Sequence, residues 1–226
     1  MGIKERRKRE KEARKKTILN AAELLFSERD YKTVSVAQIA HKAELSKGAV
    51  YLYFHSKEEI YAQILLDDLE RFHNILSKSL QDGMKAAQML ESFSRIYVEN
   101  FLSDREGFRR IMTFMLQTNN FNLSPNLNQC LIKATNKTID IIGNILKFGV
   151  ETGEFPYDTD IWQCRNIIWG MLNGIISLYL FTGKETNREK IIRMMINAGL
   201  NYLIDGFKQG SGESLASPND FNPRKQ

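Results

Sequence analysis

The chain has 226 residues, is 42% hydrophobic and carries a net charge of +5, which supplies enough apolar material for a packed core and excludes a disordered polar tail. The most apolar stretch, 167–181, contains Asn173 and Ser177 and falls short of the roughly 20 residues a bilayer span needs, so no membrane partner is expected. Only four prolines occur, Pro218 and Pro223 among them near the C-terminal end, and with so few interruptions the chain reads as all-α, with about nine helices.

The charge is unevenly placed. Residues 1–57 hold fourteen Lys and Arg against seven Asp and Glu, leaving the remainder slightly acidic. A basic end of this kind suits a polyanion, because each neutralised phosphate releases condensed counterions. The two cysteines, Cys130 and Cys164, lie in apolar periodic segments and are expected to be buried thiols in a reducing cytoplasm.

The first sixteen residues, dominated by Lys and Arg, have almost no apolar side chain, and their outer part is expected to be a mobile arm. From Thr17 the apolar residues Ile18, Leu19, Ala22, Leu25 and Phe26 recur at helical spacing up to a break at 27–30. Ser35 followed by Gln38 has the form of a capping box and opens a short helix. Glu44-Leu45-Ser46 then makes a tight turn, after which Ser46 caps a second short helix from Lys47 to Tyr53.

Ser56 and Glu59 open a long helix over 57–81, with Ile60, Ile64, Leu65, Phe72, Ile75 and Leu76 toward the core. Further helices are expected over 85–102, 104–118 (capped by Ser103 and Glu106), 126–151 (capped by Ser124, with Pro125 at its first position), 158–181 (stopping at Gly183) and 187–207 (capped at Thr186). The tail over 209–226 reads as disordered. The chain then divides into a small helical part over 1–57 with its basic arm and a larger helical body over 58–208.

Two short helices across a tight turn can present the second to the DNA major groove. Its N-terminal end offers Lys47, which can donate to guanine acceptors, beside Gly48 and Ala49, small enough for close approach, with Tyr51 on the same face. Thr33, Ser35, Ser46, Tyr53 and Lys57 lie at helix starts and flanks, where hydroxyls, an ammonium and free amides can hold phosphates. Val36, Ile39, Ala40, Ala43, Leu45, Val50 and Phe54 read as the core of this small domain, with Leu52 a further candidate.

The block from Thr33 to Glu59 resembles the DNA-binding signature of the TetR/AcrR family, with Ile-Ala on the first helix, Ser-x-Gly opening the second, Tyr-x-Tyr-Phe at its exit and Ser-Lys-Glu at the next start. The resemblance implies a regulator of transcription with a DNA-binding domain over 1–57 and a helical regulatory and dimerisation domain over 58–208, in which Lys47, Gly48 and Tyr51 meet bases while Tyr53 and Lys57 meet the backbone. The family usually has glycine where this chain has Glu44 and Asp30. A left-handed backbone at Glu44 would cost about 1–2 kcal/mol.

A reader of this type needs a dimer to engage a palindromic double-stranded operator. The last two helices are the expected interface: Gly170, Gly174, Ala198 and Gly199 allow close approach, while Trp169, Ile176, Tyr179, Leu180, Met194, Met195, Tyr202 and Leu203 supply apolar area. Phe93, Tyr97, Phe101, Phe114 and Trp162, with the polar Gln117, Arg165 and Asn173, are candidates to line a pocket for a small, apolar effector that releases a repressor from DNA. The alternative is a helical DNA-binding regulator controlled by a protein partner or with no small-molecule ligand. Catalysis is not expected, because the three histidines, His41, His55 and His73, fall in or near the DNA-binding part and no HExxH, CxxC or glycine-rich phosphate loop occurs. No metal or other cofactor is expected.

Overall fold

The computed structural model describes residues 2–29, 31–79, 83–116, 123–181 and 187–209. Asp30, Gln117, Gly183, Thr186 and the tail from residue 210 lie outside them. Among the described residues the fold is all-α: α1 (Ile3–Glu28), a 3-10 turn (Tyr31–Thr33), α2 (Val36–Lys42), α3 (Lys47–Tyr51), α4 (Lys57–Ser79), α5 (Ala86–Ser103), α6 (Arg105–Leu116), α7 (Pro125–Glu151), α8 (Ile161–Phe181) and α9 (Arg188–Gln209). No helix among them is long and apolar enough to cross a membrane.

Local chemistry accounts for most of the helix starts. Ser35 and Gln38 form the full capping box, the Gln38 amide donating to Ser35 Oγ and the Gln38 side chain accepting from the Ser35 amide. Ser46 Oγ accepts from the Ala49 amide, Ser56 Oγ from Glu59 and Ser124 Oγ from Leu127. At α6 the cap is Asp104 rather than Ser103: its carboxylate accepts from the Gly107 amide at 2.8 Å, and a charged acceptor also complements the helix dipole. Likewise α8 opens three residues later than its periodicity suggests, on the Asp160 carboxylate.

The basic arm is not a loose extension. It is the first half of α1, which runs unbroken from Ile3. Lys, Arg, Glu and Ala are all strong helix formers, and Arg6 and Glu10 pair at 3.0 Å one turn apart, so local preference carries the helix well beyond its first core residue, Ile18.

The described chain groups into two compact units, residues 1–74 with 103–136, and 75–102 with 137–226. In the first unit Ile18, Ala22, Leu25 and Phe26 of α1 pack with Ile39 and Ala40 of α2, Val50 of α3, Ile60, Ile64 and Leu65 of α4, Phe114 of α6 and Leu131 of α7. The core of the second unit buries Leu90, Phe93 and Phe101 of α5, Ile142 and Leu146 of α7, Ile168, Leu172 and Ile176 of α8, and Ile196 and Leu200 of α9. Three expected core positions face outward instead. Ile75 near the end of α4 and Cys130 on α7 are exposed, and Leu52, just past α3, is 79% exposed.

Two close approaches organise the second unit. A Cβ on Gly149 would stand 2.2 Å from the Phe155 ring and 2.8 Å from the Ala86 Cβ, so only glycine lets the turn after α7 fold back. That turn delivers Glu154 to the start of α5, where its two carboxylate oxygens accept from the Ala86 and Ala87 amides at 2.6 and 3.2 Å. Between α8 and α9, a Cβ on Gly199 would meet Met171 Sδ at 2.6 Å.

Candidate nucleic-acid interface

The geometry of the reader starts with the turn between α2 and α3. The Glu44 amide donates to the His41 carbonyl at 3.1 Å and the Leu45 amide to the Ala40 carbonyl at 2.9 Å, the paired bonds of a Schellman motif. The motif requires a left-handed residue, and Glu44 takes it with φ of 55°. It is the only positive-φ residue other than glycine among those described. The chain then turns into Ser46, whose side chain caps α3 and whose own backbone is extended.

As a result the N-terminal end of α3 is bare. Ser46, Lys47 and Gly48 are exposed and Ala49 half-buried, while Val50 on the opposite side is fully buried and anchors the helix. Added bulk at Gly48 would meet only Ser46 Oγ, at 3.9 Å. Tyr51 is exposed, with the Lys47 ammonium 5.9 Å from its ring centroid. Lys47, Gly48, Ala49 and Tyr51 are therefore brought onto one accessible end of a helix held from behind.

Thr33 and Ser35 flank α2 and are exposed, and Tyr53 is half-buried. Lys57 is more constrained: its ammonium donates to the Tyr31 carbonyl at 2.8 Å and lies 4.2 Å from the Tyr31 ring centroid. Tyr31, which sequence reasoning passed over, is the hub here. Its ring packs against Phe26 and Tyr61 at 5.6 and 4.7 Å, and its hydroxyl donates to Glu58 Oε1 at 2.8 Å. Burial together with that hydrogen bond pushes the Tyr31 phenol far above its usual range. For Glu58 burial acts upward, but the Tyr31 and Ser56 hydroxyls, a backbone amide and the Lys57 ammonium outweigh it and hold the carboxyl below its ordinary value. The only sequence signal for this hub was an aromatic beside the 27–30 break.

Behind the reader, Arg110 of α6 reaches Asp68 of α4 at 2.9 Å and Glu23 of α1 at 3.2 Å, with Asp104 at 3.7 Å. Arg71 also pairs with Asp68. The three carboxylates thus face guanidinium groups, and the arrangement ties three helices of the first unit together.

The residues expected around a pocket fall into separate groups. Phe114 belongs to the core of the first unit. In the second unit Phe93 stacks on Tyr97 at 6.1 Å, the Tyr97 hydroxyl donates to Asn173 Oδ1 at 2.7 Å, and the Asn173 amide donates to the Trp169 carbonyl at 2.8 Å. Phe101 is buried in the same unit, whereas Trp162 is exposed. Arg165 pairs with Asp140 at 2.8 Å. A groove of about 620 Å³ in this unit is lined by other residues, among them Met84, Gln88, Phe148 and Glu154.

On α8, Ile167, Gly170, Gly174 and Leu178 form an exposed stripe, and Met194, Met195, Ala198 and Tyr202 form another on α9. Among the described residues no side chain stands within 4 Å of a Cβ placed on Gly170 or Gly174. Ile176 faces the chain's own core, and Gly199 serves the contact with Met171.

Comparison with known proteins matches both parts of the chain. Residues 18–64 match the family model described as "Bacterial regulatory proteins, tetR family", and residues 110–205 match "QacR-like protein, C-terminal region". The HTH-type transcriptional regulator QacR of Staphylococcus aureus is 27% identical over 86% of this chain and 98% of its own length. The fatty acid metabolism regulator protein of Bacillus subtilis is 22% identical over 84% of this chain and 93% of its own. Among solved structures, the transcriptional regulator FadR from B. subtilis in complex with stearoyl-CoA superposes with a TM-score of 0.67 at 20% identity, covering 84% of this chain and 97% of that one. With an all-helical body, a capped reader helix and both segments matched, the chain belongs to the tetR family of bacterial regulatory proteins, DNA-binding regulators of transcription and not enzymes.

Proposed function

We propose that the protein is a cytoplasmic homodimeric repressor that grips a palindromic operator and leaves it when a small apolar effector binds. The observation that carries the reading is the exposed end of α3, where Lys47 can donate to guanine N7 and O6, Gly48 and Ala49 let the backbone approach the bases, and Tyr51 extends the same surface. Leu52, exposed beside Tyr51, adds an apolar side chain suited to a thymine methyl. Thr33, Ser35, Ser46, Tyr53 and Lys57 hold phosphates and fix the register.

Dimerisation uses the stripes of α8 and α9. Two exposed glycines four residues apart, with isoleucine, leucine and methionine around them, meet no side chain among the described residues and suit a second copy. The effector site of this reading lies near Phe93, Tyr97, Phe101 and Asn173; the stacking of Phe93 on Tyr97 and the internal polar pair of Tyr97 with Asn173 support it. B. subtilis FadR holds stearoyl-CoA, which makes that compound the first probe. An effector acts only through its differential affinity for the bound and released states.

The test is a fluorescence-polarisation titration against DNA from the protein's own promoter region and a scrambled duplex, with and without stearoyl-CoA. Preference for the native duplex, lost on Lys47→Ala, supports the reader, and release by stearoyl-CoA but not by CoA alone supports an effector recognised through its apolar chain. Equal, weak binding to both duplexes overturns the reading. A stable monomer by light scattering at micromolar concentration would overturn the dimer.

A further inference from the structure

The N-terminal half of α1 has no core to serve, since none of residues 3–17 is buried. Its charges are nevertheless ordered. Lys4, Arg7, Lys8, Lys11, Arg14 and Lys15 follow one another at three- and four-residue steps, and the same steps continue into Ile18, Ala22, Leu25 and Phe26. Residues three and four apart share a helix face, so the cationic stripe is the in-phase continuation of the buried stripe, on the side of α1 that meets α2, α3 and α4. The three acids of this stretch, Glu5, Glu10 and Glu12, fall off the stripe, and Glu10 is engaged by Arg6. None of the six stripe cations forms an ion pair among the described residues.

From this arrangement we infer that the first half of α1 is a rigid phosphate-binding helix that lies along the DNA backbone outside the bases read by α3. From Lys4 to Lys15 the stripe spans about 16 Å at 1.5 Å per residue, and one strand of duplex DNA presents a charge about every 3.4 Å of its axis, so the exposed cations Lys4, Arg7, Lys8, Lys11 and Arg14 can meet up to about five phosphates. A membrane surface is the poorer match, because among the described residues the rest of the arm offers only Ile3 and Ala13 as apolar contacts and an interfacial helix needs an apolar face. The helix is also built to wait for its partner. Strong intrinsic propensity maintains it, and phosphates would relieve the mutual repulsion of six like charges.

The inference rests on the DNA-reading role of α3, and the experiment separates the two. Salt-dependent binding is measured on the native promoter duplex and on the same duplex lengthened by about ten base pairs at each end, one further helical turn. Three full-length proteins are compared: wild type, Lys4→Ala/Arg7→Ala/Lys8→Ala/Lys11→Ala, and the off-stripe control Arg6→Ala/Arg9→Ala/Lys16→Ala. Alanine keeps the helix and no buried residue is touched.

Wild type is expected to gain at least about tenfold in affinity from the added flanks. The stripe variant should lose that gain, lower its salt slope by up to about seven, four charges in each of the dimer's two arms, and keep its preference for native over scrambled sequence. The control should retain the gain. An unchanged slope and flank gain in the stripe variant, or equal losses in both variants, would overturn the arm proposal while leaving the reader intact. Binding to anionic phosphatidylglycerol vesicles that depends on the stripe, without any effect on DNA, would also overturn it. No sequence preference even in wild type would overturn the DNA reading and the arm with it.

Discussion

Glu44 and Gly153 occupy the same position of the same motif. Each is the left-handed residue that ends a helix, with φ of 55° and 73°. The residue after each donates back to the carbonyl five positions earlier, Leu45 to Ala40 and Glu154 to Gly149, at 2.9 and 2.8 Å. Gly153 accepts that conformation without a Cβ, whereas Glu44 bears the steric penalty of a side chain beside its own carbonyl.

Replacing Glu44 with glycine is therefore expected to stabilise the protein by about 1 kcal/mol, raising the thermal midpoint by about 2–4 °C for a chain of this size. Gly153→Ala should lower it by a similar amount. Calorimetry on the two variants and wild type checks both signs, and a midpoint lowered by Glu44→Gly would show that the glutamate side chain makes a compensating contact.

Arg110 and Asp68 are both almost fully buried at 2.9 Å. Removing either one weakens the cluster and does not empty it: without Asp68 the Arg110 guanidinium keeps Glu23 at 3.2 Å and Asp104 at 3.7 Å, and without Arg110 the Asp68 carboxylate keeps Arg71. Asp68→Leu and Arg110→Met are each expected to cost about 1.5–3 kcal/mol, the range of a hydrogen bond to a charged group, while the volume-conserving double change should cost less than the sum of the two. Urea unfolding of the three variants tests this. Additive costs would mean that the two side chains act independently.

Between Tyr31 and Glu58 the hydrogen bond favours the carboxylate. A folded-state value below the ordinary 4.5 means that this stabilisation is present above that pH and is lost as the pH falls through the folded value. Tyr31→Phe should therefore destabilise the protein more at pH 7 than at pH 3.5. A gap between the two unfolding midpoints that does not change with pH would assign the tyrosine's contribution to ring packing alone.

The cysteines differ in reach. Cys130 is exposed on α7, while burial, aided by Asp160, pushes the Cys164 thiol up to about 11. A thiolate-specific reagent at pH 8 should modify one thiol per native chain quickly and the second only after unfolding. Cys130→Ser should abolish the fast phase, and rapid reaction of Cys164 in that variant would show that α8 opens readily.

Serines three residues ahead of an amide, apolar residues at three- and four-residue steps and a basic first quarter are relations between neighbours in the chain. They were sufficient to place α2, α3, the capped start of α4 and the exposed end of the reader. Even so, local pattern misplaced Leu52 and Cys130, because the apolar character of a residue does not say which side of a helix finds a partner. The sequence also determined that the arm would be basic; it is the unbroken backbone of α1 that phases its cations with the core.

Only the tertiary structure decided the long-range pairings. Glu154 caps α5 from 68 positions away, Arg110 gathers carboxylates from α1, α4 and the start of α6, and Tyr31 holds Lys57 and Glu58 at the start of α4. These contacts depend on how helices pack, and packing is a property of the whole fold: a glutamate in a turn and a glutamate that caps a distant helix look the same until the chain brings the two ends together.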